Sequence, residues 1–148
     1  MFSKSAAIYD AVYASKDYDS EAETVRSIVE ERRGSVGGSL LNVACGTGGH
    51  LAALGKHFAV EGLDVDPGMV EVARARHPGV AIHSGDMVDF ALGARFDAVV
   101  CLFSSIGYAK TVPRLREAIA SMARHLAPGG VLVVETLVHS RDLLPRAT

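Results

Sequence analysis

From residue 40 onward, short apolar runs alternate with stretches whose apolar positions recur at helical spacing. The runs cover residues 40–44, 58–63, 80–82, 98–103 and 131–134, are rich in Val and Leu, and are bounded by Gly, Pro or Asp. Between them lie helical patterns at residues 50–57, 67–77 and 112–126. Strands alternating with helices in short units predict βαβ crossovers and a parallel sheet buried on both faces. Earlier in the chain, Ala22, Val25, Ile28 and Val29 predict a helix capped by Ser20, with Glu23 three residues on, and residues 34–39 break it. Residues 5–18 carry Tyr9, Tyr13 and Tyr18 and predict a short helix or two, while residues 86–95 predict a loop with one helical turn. The organisation expected is a single domain over 1–148: a helical cap at 1–33, a βαβ core at 39–137 and a tail at 138–148.

Composition narrows this picture without redirecting it. With 148 residues and 49% hydrophobic content, the chain supports one buried core. A formal net charge of −2 leaves no electrostatic footprint for nucleic acid or an anionic membrane, so the partner expected is a small molecule. Cys45 and Cys101 are too few for a disulfide scaffold and wrongly spaced for zinc, and no metal is assigned. The first residues lack the long apolar run of a signal peptide, and no segment is apolar enough to span a bilayer. A cytoplasmic setting follows as the expectation.

Because crossovers return every strand of a parallel sheet the same way, all strand C-termini share one rim, and ligands bind there where strand order reverses. Residues just after each strand are therefore the candidates. The first strand runs into Ala44-Cys45-Gly46-Thr47-Gly48-Gly49-His50, a glycine-rich turn that lets backbone approach a ligand closely. About twenty residues on, the second strand ends at Asp64, which can accept hydrogen bonds from both hydroxyls of an unphosphorylated ribose. Val65, Asp66 and Pro67 follow, Pro67 suiting the first turn of a helix; Met69 lies either against a flat base or in plain helix core. After the third strand, Asp86 can accept from an adenine amine while the Met87 N–H donates to a ring nitrogen, or Asp86 simply caps the turn before Phe90.

Residues 40–48, Gly62-Leu63-Asp64, Gly85-Asp86-Met87, residues 96–100 and Leu126-Ala127-Pro128-Gly129-Gly130 resemble, in order and spacing, the motifs of class I S-adenosylmethionine-dependent methyltransferases. The resemblance covers nearly the whole chain. It implies a Rossmann-like three-layer α/β sandwich with a mostly parallel sheet of strand order 3-2-1-4-5. It also implies S-adenosyl-L-methionine as cofactor, its methionine end on the glycine loop, its ribose on Asp64 and its adenine on Asp86 and Met87. Asn42 stands where that family usually has Asp, and Ala44 where it often has Gly. Members usually continue past the fifth strand into an antiparallel hairpin, which this reading expects to be missing. A short form or fragment that binds cofactor with little activity alone, possible as a homo-oligomer, is therefore one expectation.

More narrowly, Tyr9-Asp10, Tyr13, Lys16-Asp17-Tyr18 and Phe103-Ser104-Ser105-Ile106-Gly107-Tyr108 look like N-methyltransferases of nucleotide-linked amino sugars. That likeness implies Tyr18 and Phe103 beside the cofactor, and Tyr13 and Tyr108 facing the substrate as positioning residues with no obligatory base. The cofactor set implied is then Tyr18, Ala44, Cys45, Gly46, Gly48, His50 and Leu51 at the methionine end. Phe103 joins them at that end, and Asp64, Val65, Met69, Asp86 and Met87 complete the set. His50, His83 and His139 fall on the ligand rim, and His57, His77 and His125 on the opposite one. Arg114, Arg116 and Glu117 read as a solvated helix face, and Glu135 as either a substrate contact or a strand end. The rival enzyme class, a nicotinamide-dependent oxidoreductase, needs a third glycine where Leu51 stands, and the loop to Leu51 offers no Arg or Lys for a pyrophosphate.

Overall fold

The computed structural model describes residues 17–102 and 105–135, without the side chain of Tyr108. Helix α1 (Tyr18–Arg33) is capped by Asp17, whose carboxylate accepts the Ser20 N–H at 2.9 Å. Ser20 is thus the capped residue rather than the cap; a carboxylate three positions earlier meets the partial positive charge of the helix start better than a hydroxyl does. The helix ends at Gly34 in the left-handed conformation (φ 72°), whose N–H returns to Glu30 O. Ala22, Val25 and Val29 form its buried stripe.

Strand β1 (Ser39–Val43), helix α2 (Gly49–Leu54), strand β2 (Ala59–Asp64), helix α3 (Pro67–Arg76) and strand β3 (Ile82–Ser84) make the first half of the core. Strand β4 (Phe96–Cys101), a 3-10 turn (Ser105–Ala109), helix α4 (Val112–Arg124) and strand β5 (Leu126–Val134) make the second. All four pairings are parallel and the order is β3-β2-β1-β4-β5, the order the sequence resemblance implied. Alternate residues of the central strands serve opposite faces. Leu41, Val43, Leu63, Val99 and Cys101 pack with Phe96, Ala118 and Met122 on the α4 side. Leu40, Ala98 and Val100 pack with Ala22, Val25, Val29, Ala53 and Leu54 on the other. Burial on both faces is why these strands read as unbroken apolar runs.

Three of the boundaries that differ from the hydrophobic pattern have a visible cause. Strand β3 begins at Ile82, because the Val80 N–H closes a turn onto His77 O at 3.0 Å and the Arg74 guanidinium holds Ile82 O at 2.7 and 3.1 Å. Helix α2 stops at Leu54, before Gly55. Strand β5 starts at Leu126, inside the expected helix: Phe96 pairs with Leu126, but Ala98 pairs with Val131, so the intervening residues bulge. Gly130 fits this bulge closely; a Cβ there would lie 2.8 Å from Ala127 O and 3.1 Å from Phe96 O.

The rim opposite the strand C-termini is stitched by side chains. Asp97 accepts the Ser39 N–H at 2.8 Å and lies 3.4 Å from Arg33, joining α1, β1 and β4. Buried His125 accepts the Leu92 N–H on Nε2 (3.1 Å), which leaves Nδ1–H to donate to Ser121 O (2.6 Å). No helix among the described residues is long and apolar enough to cross a membrane. The tail and the expected hairpin position lie outside the described residues.

Candidate functional site

Strand β1 has β2 on one side and β4 on the other, so strand order reverses there, and in open parallel sheets ligands bind in the crevice beyond the C-termini at such a point. The turn leaving β1 is left-handed three times within five residues: Ala44 (φ 59°), Gly46 (φ 57°) and Gly48 (φ 88°). Each glycine answers a different demand. A Cβ on Gly46 would meet nothing within 4 Å, so this residue faces open space. On Gly48 it would come 2.7 Å from His77 Cδ2, and on Gly49 2.6 Å from Tyr18 Cζ, so those two are occupied by packed rings. Ala44 adopts a conformation that costs an L-residue about 1–2 kcal/mol.

Asp64, at the end of β2, turns back onto this loop. Its Oδ2 accepts the Gly46 N–H at 2.8 Å and its Oδ1 the Asp66 N–H at 2.9 Å. Burial pushes this carboxyl above its ordinary pKa, and the amides of Asp66 and Gly46 oppose that rise. A carboxylate offers about four lone-pair sites, so two amides leave room for further donors. Asp66 meanwhile caps α3, accepting the Gly68 and Met69 N–H groups at 2.8 and 3.3 Å.

Asp86, beyond β3, is held differently. Its Oδ1 accepts the Val88 N–H at 3.0 Å, the local turn the sequence left open as an alternative, and its Oδ2 lies 3.2 Å from Arg114 Nη2. The neighbouring Met87 N–H donates to nothing among the described residues. An acceptor and an unpaired donor thus stand on consecutive residues at the rim. Asn42 is also orphaned: it is 2% exposed, and its side-chain amide finds no hydrogen-bond partner among the described residues.

Of the residues expected to line a cofactor site, the structure brings Tyr18, Ala44, Gly46, Gly48, His50, Asp64, Val65 and Met69 around the first crossover, with Asp86 and Met87 beyond β3. Two more of the expected residues turn their side chains into the core. The Cys45 side chain turns into the sheet beneath Gly62, its N–H and C=O are engaged by Leu63 O and Gly48 N, and burial raises its thiol to about 12. Leu51 is 1% exposed and packs with Cys45, Val70, Ala73 and Ile82. His83 pairs with Glu61 at 2.8 Å across β2 and β3 rather than facing the crevice. Tyr13, Phe103 and His139 lie outside the described residues; Tyr108 sits in the 3-10 turn, its side chain not described. The Glu135 N–H donates to Cys101 O, continuing the strand ladder.

Three residues escaped the sequence reading. Arg114, read as solvated, reaches Asp86 from the first turn of α4. Glu21 of α1 holds His50 Nε2 at 3.0 Å, while Tyr18 packs edge-on against the same imidazole (4.8 Å, 89°), so α1 is clamped onto the glycine loop. His77, assigned to the opposite rim, supports Gly48. The only sequence signal for the Glu21 clamp was the helical spacing from Tyr18; nothing in sequence joins Arg114 to Asp86.

A methyltransferase domain family model matches residues 40–130. The chain is 48% identical over 133 residues to the dTDP-3-amino-3,4,6-trideoxy-alpha-D-glucopyranose N,N-dimethyltransferase of Streptomyces venezuelae, covering 88% of the chain and 56% of the relative. It is 46% identical to the dTDP-4-amino-2,3,4,6-tetradeoxy-D-glucose N,N-dimethyltransferase of Saccharopolyspora spinosa, covering 88% and 53%. Among solved structures, DesVI of Streptomyces venezuelae superimposes with a TM-score of 0.86 at 46% identity, covering 92% of this chain and 58% of that one. An amino pentose methyltransferase from Micromonospora echinaspora, solved with S-adenosylmethionine bound, gives 0.84 at 44% identity, covering 90% and 58%. The chain spans about half the length of the curated relatives it matches.

Proposed function

This chain belongs to the methyltransferase domain family, and from that premise we propose that it binds S-adenosylmethionine and directs its methyl group to the amine of a nucleotide-linked amino sugar. The observation that carries the reading is the pairing of two carboxylates, Asp64 and Asp86, on one rim beside a glycine turn whose Gly46 faces open space. Asp64 would take the ribose hydroxyls on its remaining lone pairs. Asp86 and the unpaired Met87 N–H match the amine and ring nitrogen of an adenine edge. Residues 44–51 contain no Arg or Lys, so no fixed cation opposes a positively charged sulfur. Leu51, buried where a dinucleotide site needs glycine, weighs against a nicotinamide cofactor.

The cofactor, when bound, supplies a methyl carbon already activated by its sulfonium. What remains for the protein is alignment and exclusion of water, and alignment alone contributes up to about 7–11 kcal/mol in favourable cases. The left-handed turn holds the loop backbone beside the crevice, and the Tyr18–Glu21–His50 clamp fixes α1 over its far end. Tyr13 and Tyr108 would orient the sugar amine, which must arrive neutral; a dry pocket favours that form without a dedicated base. The relatives that act on dTDP-linked amino sugars support this substrate class.

A thermal-shift panel tests the cofactor assignment. S-adenosylmethionine and S-adenosylhomocysteine at about 100 times Kd should stabilise by about 2.7 kcal/mol, raising the midpoint by roughly 5–10 °C, with NADH inert. A shift with NADH alone overturns it. Mass spectrometry after incubation with a dTDP-amino sugar tests the substrate: stepwise gain of one and then two methyl groups is the expected result.

A further inference from the structure

The turn that carries Asp86 and Met87 is closed by its own hydrogen bonds: the Asp89 N–H donates to Asp86 O at 3.1 Å and the Val88 N–H to Asp86 Oδ1 at 3.0 Å. These bonds fix the shape of the turn but not its place relative to the sheet. Its place is set by α4. Ser121, 1% exposed, donates its hydroxyl to Val88 O at 2.8 Å, so Val88 is held by Asp86 on its N–H and by α4 on its carbonyl. At the end of α4, His125 donates Nδ1–H to Ser121 O and accepts the Leu92 N–H, while its ring stacks on Phe90 (4.3 Å, 24°). Val88, Phe90, Ser121 and His125 are all buried, so water does not compete for these ties. Arg114 also reaches Asp86, but through a half-exposed ion pair that solvent weakens; the carboxylate keeps a movable partner while the turn beneath it is seated.

We infer that Ser121, braced by His125, is a positioning residue of the adenine subsite: it fixes where Asp86 and the Met87 N–H stand relative to Asp64. This rests on the reading of the two carboxylates given above. Without the hydroxyl, the Val88 carbonyl is buried without this donor, which favours a shift of the turn toward water. A turn that shifts as a unit keeps its internal bonds, yet it carries acceptor and donor away from a base whose ribose is anchored elsewhere. Hydrogen bonds weaken steeply with misalignment, so the loss appears first in recognition of the base edge. The contact spans 33 positions of sequence, from the middle of one element to a loop two strands away in the sheet order.

Calorimetric titrations of S-adenosylhomocysteine and of its 6-oxo counterpart, whose carbonyl and ring N–H invert the donor and acceptor of the adenine edge, test this. Wild type should prefer the adenine form by about 10- to 100-fold, the range for hydrogen bonds to a charged group. Ser121→Ala should narrow that preference by about three- to tenfold. Ser121→Cys, closer in volume and only a weak donor, takes its place if Ser121→Ala does not fold. Val29→Ala, a buried truncation on the other face of the sheet, should lower the denaturation midpoint and leave the preference unchanged. A preference left unchanged by the Ser121 variant, or narrowed equally by Val29→Ala, overturns the inference and leaves the adenine reading intact. If wild type shows no preference, or Asp86→Asn does not alter it, the adenine reading falls and the inference with it.

Discussion

Asp64 and Asp86 stand on the same rim of one sheet, yet they are restrained by different kinds of partner. Asp64 is gripped by the backbone amides of Gly46 and Asp66, groups that cannot rotate away. Asp86 has one amide, Val88, and one guanidinium on a long, half-exposed side chain. The first arrangement is finished before any ligand arrives; the second has a movable member. The loop beside Asp64 is wedged from below by His77 on Gly48 and from the side by Tyr18 on Gly49, whereas Gly85, before Asp86, meets the end of Leu63 and, at ordinary contact distance, Phe90. On the proposed reading of the two carboxylates, the ribose end is preorganised and the adenine end adjustable.

The largest effect should come from loading a methyl group onto each glycine. Gly48→Ala combines a left-handed backbone with a clash at His77 and should cost about 2–4 kcal/mol in urea denaturation. Gly85→Ala meets a flexible Leu63 methyl at 3.0 Å and should cost less than about 1 kcal/mol. Equal losses would erase the contrast between the two ends. Next come the carboxylates themselves. Asp64→Ala strands two amides and should lose about 1–3 kcal/mol of stability, against about 0.5–1.5 for Asp86→Ala; S-adenosylmethionine binding should weaken with both.

Acid should then separate the ends by pH. Burial raises the folded pKa of Asp64 above its unfolded value of about 3.9. Its ionisation therefore costs stability at neutral pH, and that cost fades as pH falls through the raised folded value toward the unfolded one. Cofactor binding runs the other way, since protonation removes an acceptor. S-adenosylhomocysteine affinity should decline with acid sooner than an ordinary carboxylate predicts, and Asp64→Asn should abolish that early decline. The smallest effect belongs to Ala44→Gly. Relief of the left-handed strain (φ 59°) is offset by greater freedom of the unfolded chain, so the gain should be within about 1 kcal/mol by thermal melting.

Much of this was legible along the chain. The β-strand runs and their helical spacers predicted the parallel sheet, and the family resemblance implied the strand order found. Asp64 and Asp86 were legible because position after a parallel strand places a residue on the ligand rim whatever the neighbours are. Ser20 was mistaken for a cap because Asp17 precedes the apolar pattern and leaves no periodic trace. The β5 bulge was hidden by Pro128-Gly129-Gly130, which reads as a turn when pairing partners are unknown. The inward turn of the Cys45 and Leu51 side chains was not legible, because a motif position says that a residue belongs to the loop and not which way its side chain leaves it.

Local pattern therefore determined the elements, their order and the rim on which chemistry would gather, since each depends on short-range periodicity and the common direction of parallel strands. Only the packed molecule decided which groups meet: Arg114 with Asp86, Glu21 with His50, His77 beneath Gly48. Such contacts join residues about thirty positions apart, and their distances depend on how helices lie against the sheet, a quantity set by the whole core at once and by no single stretch of chain.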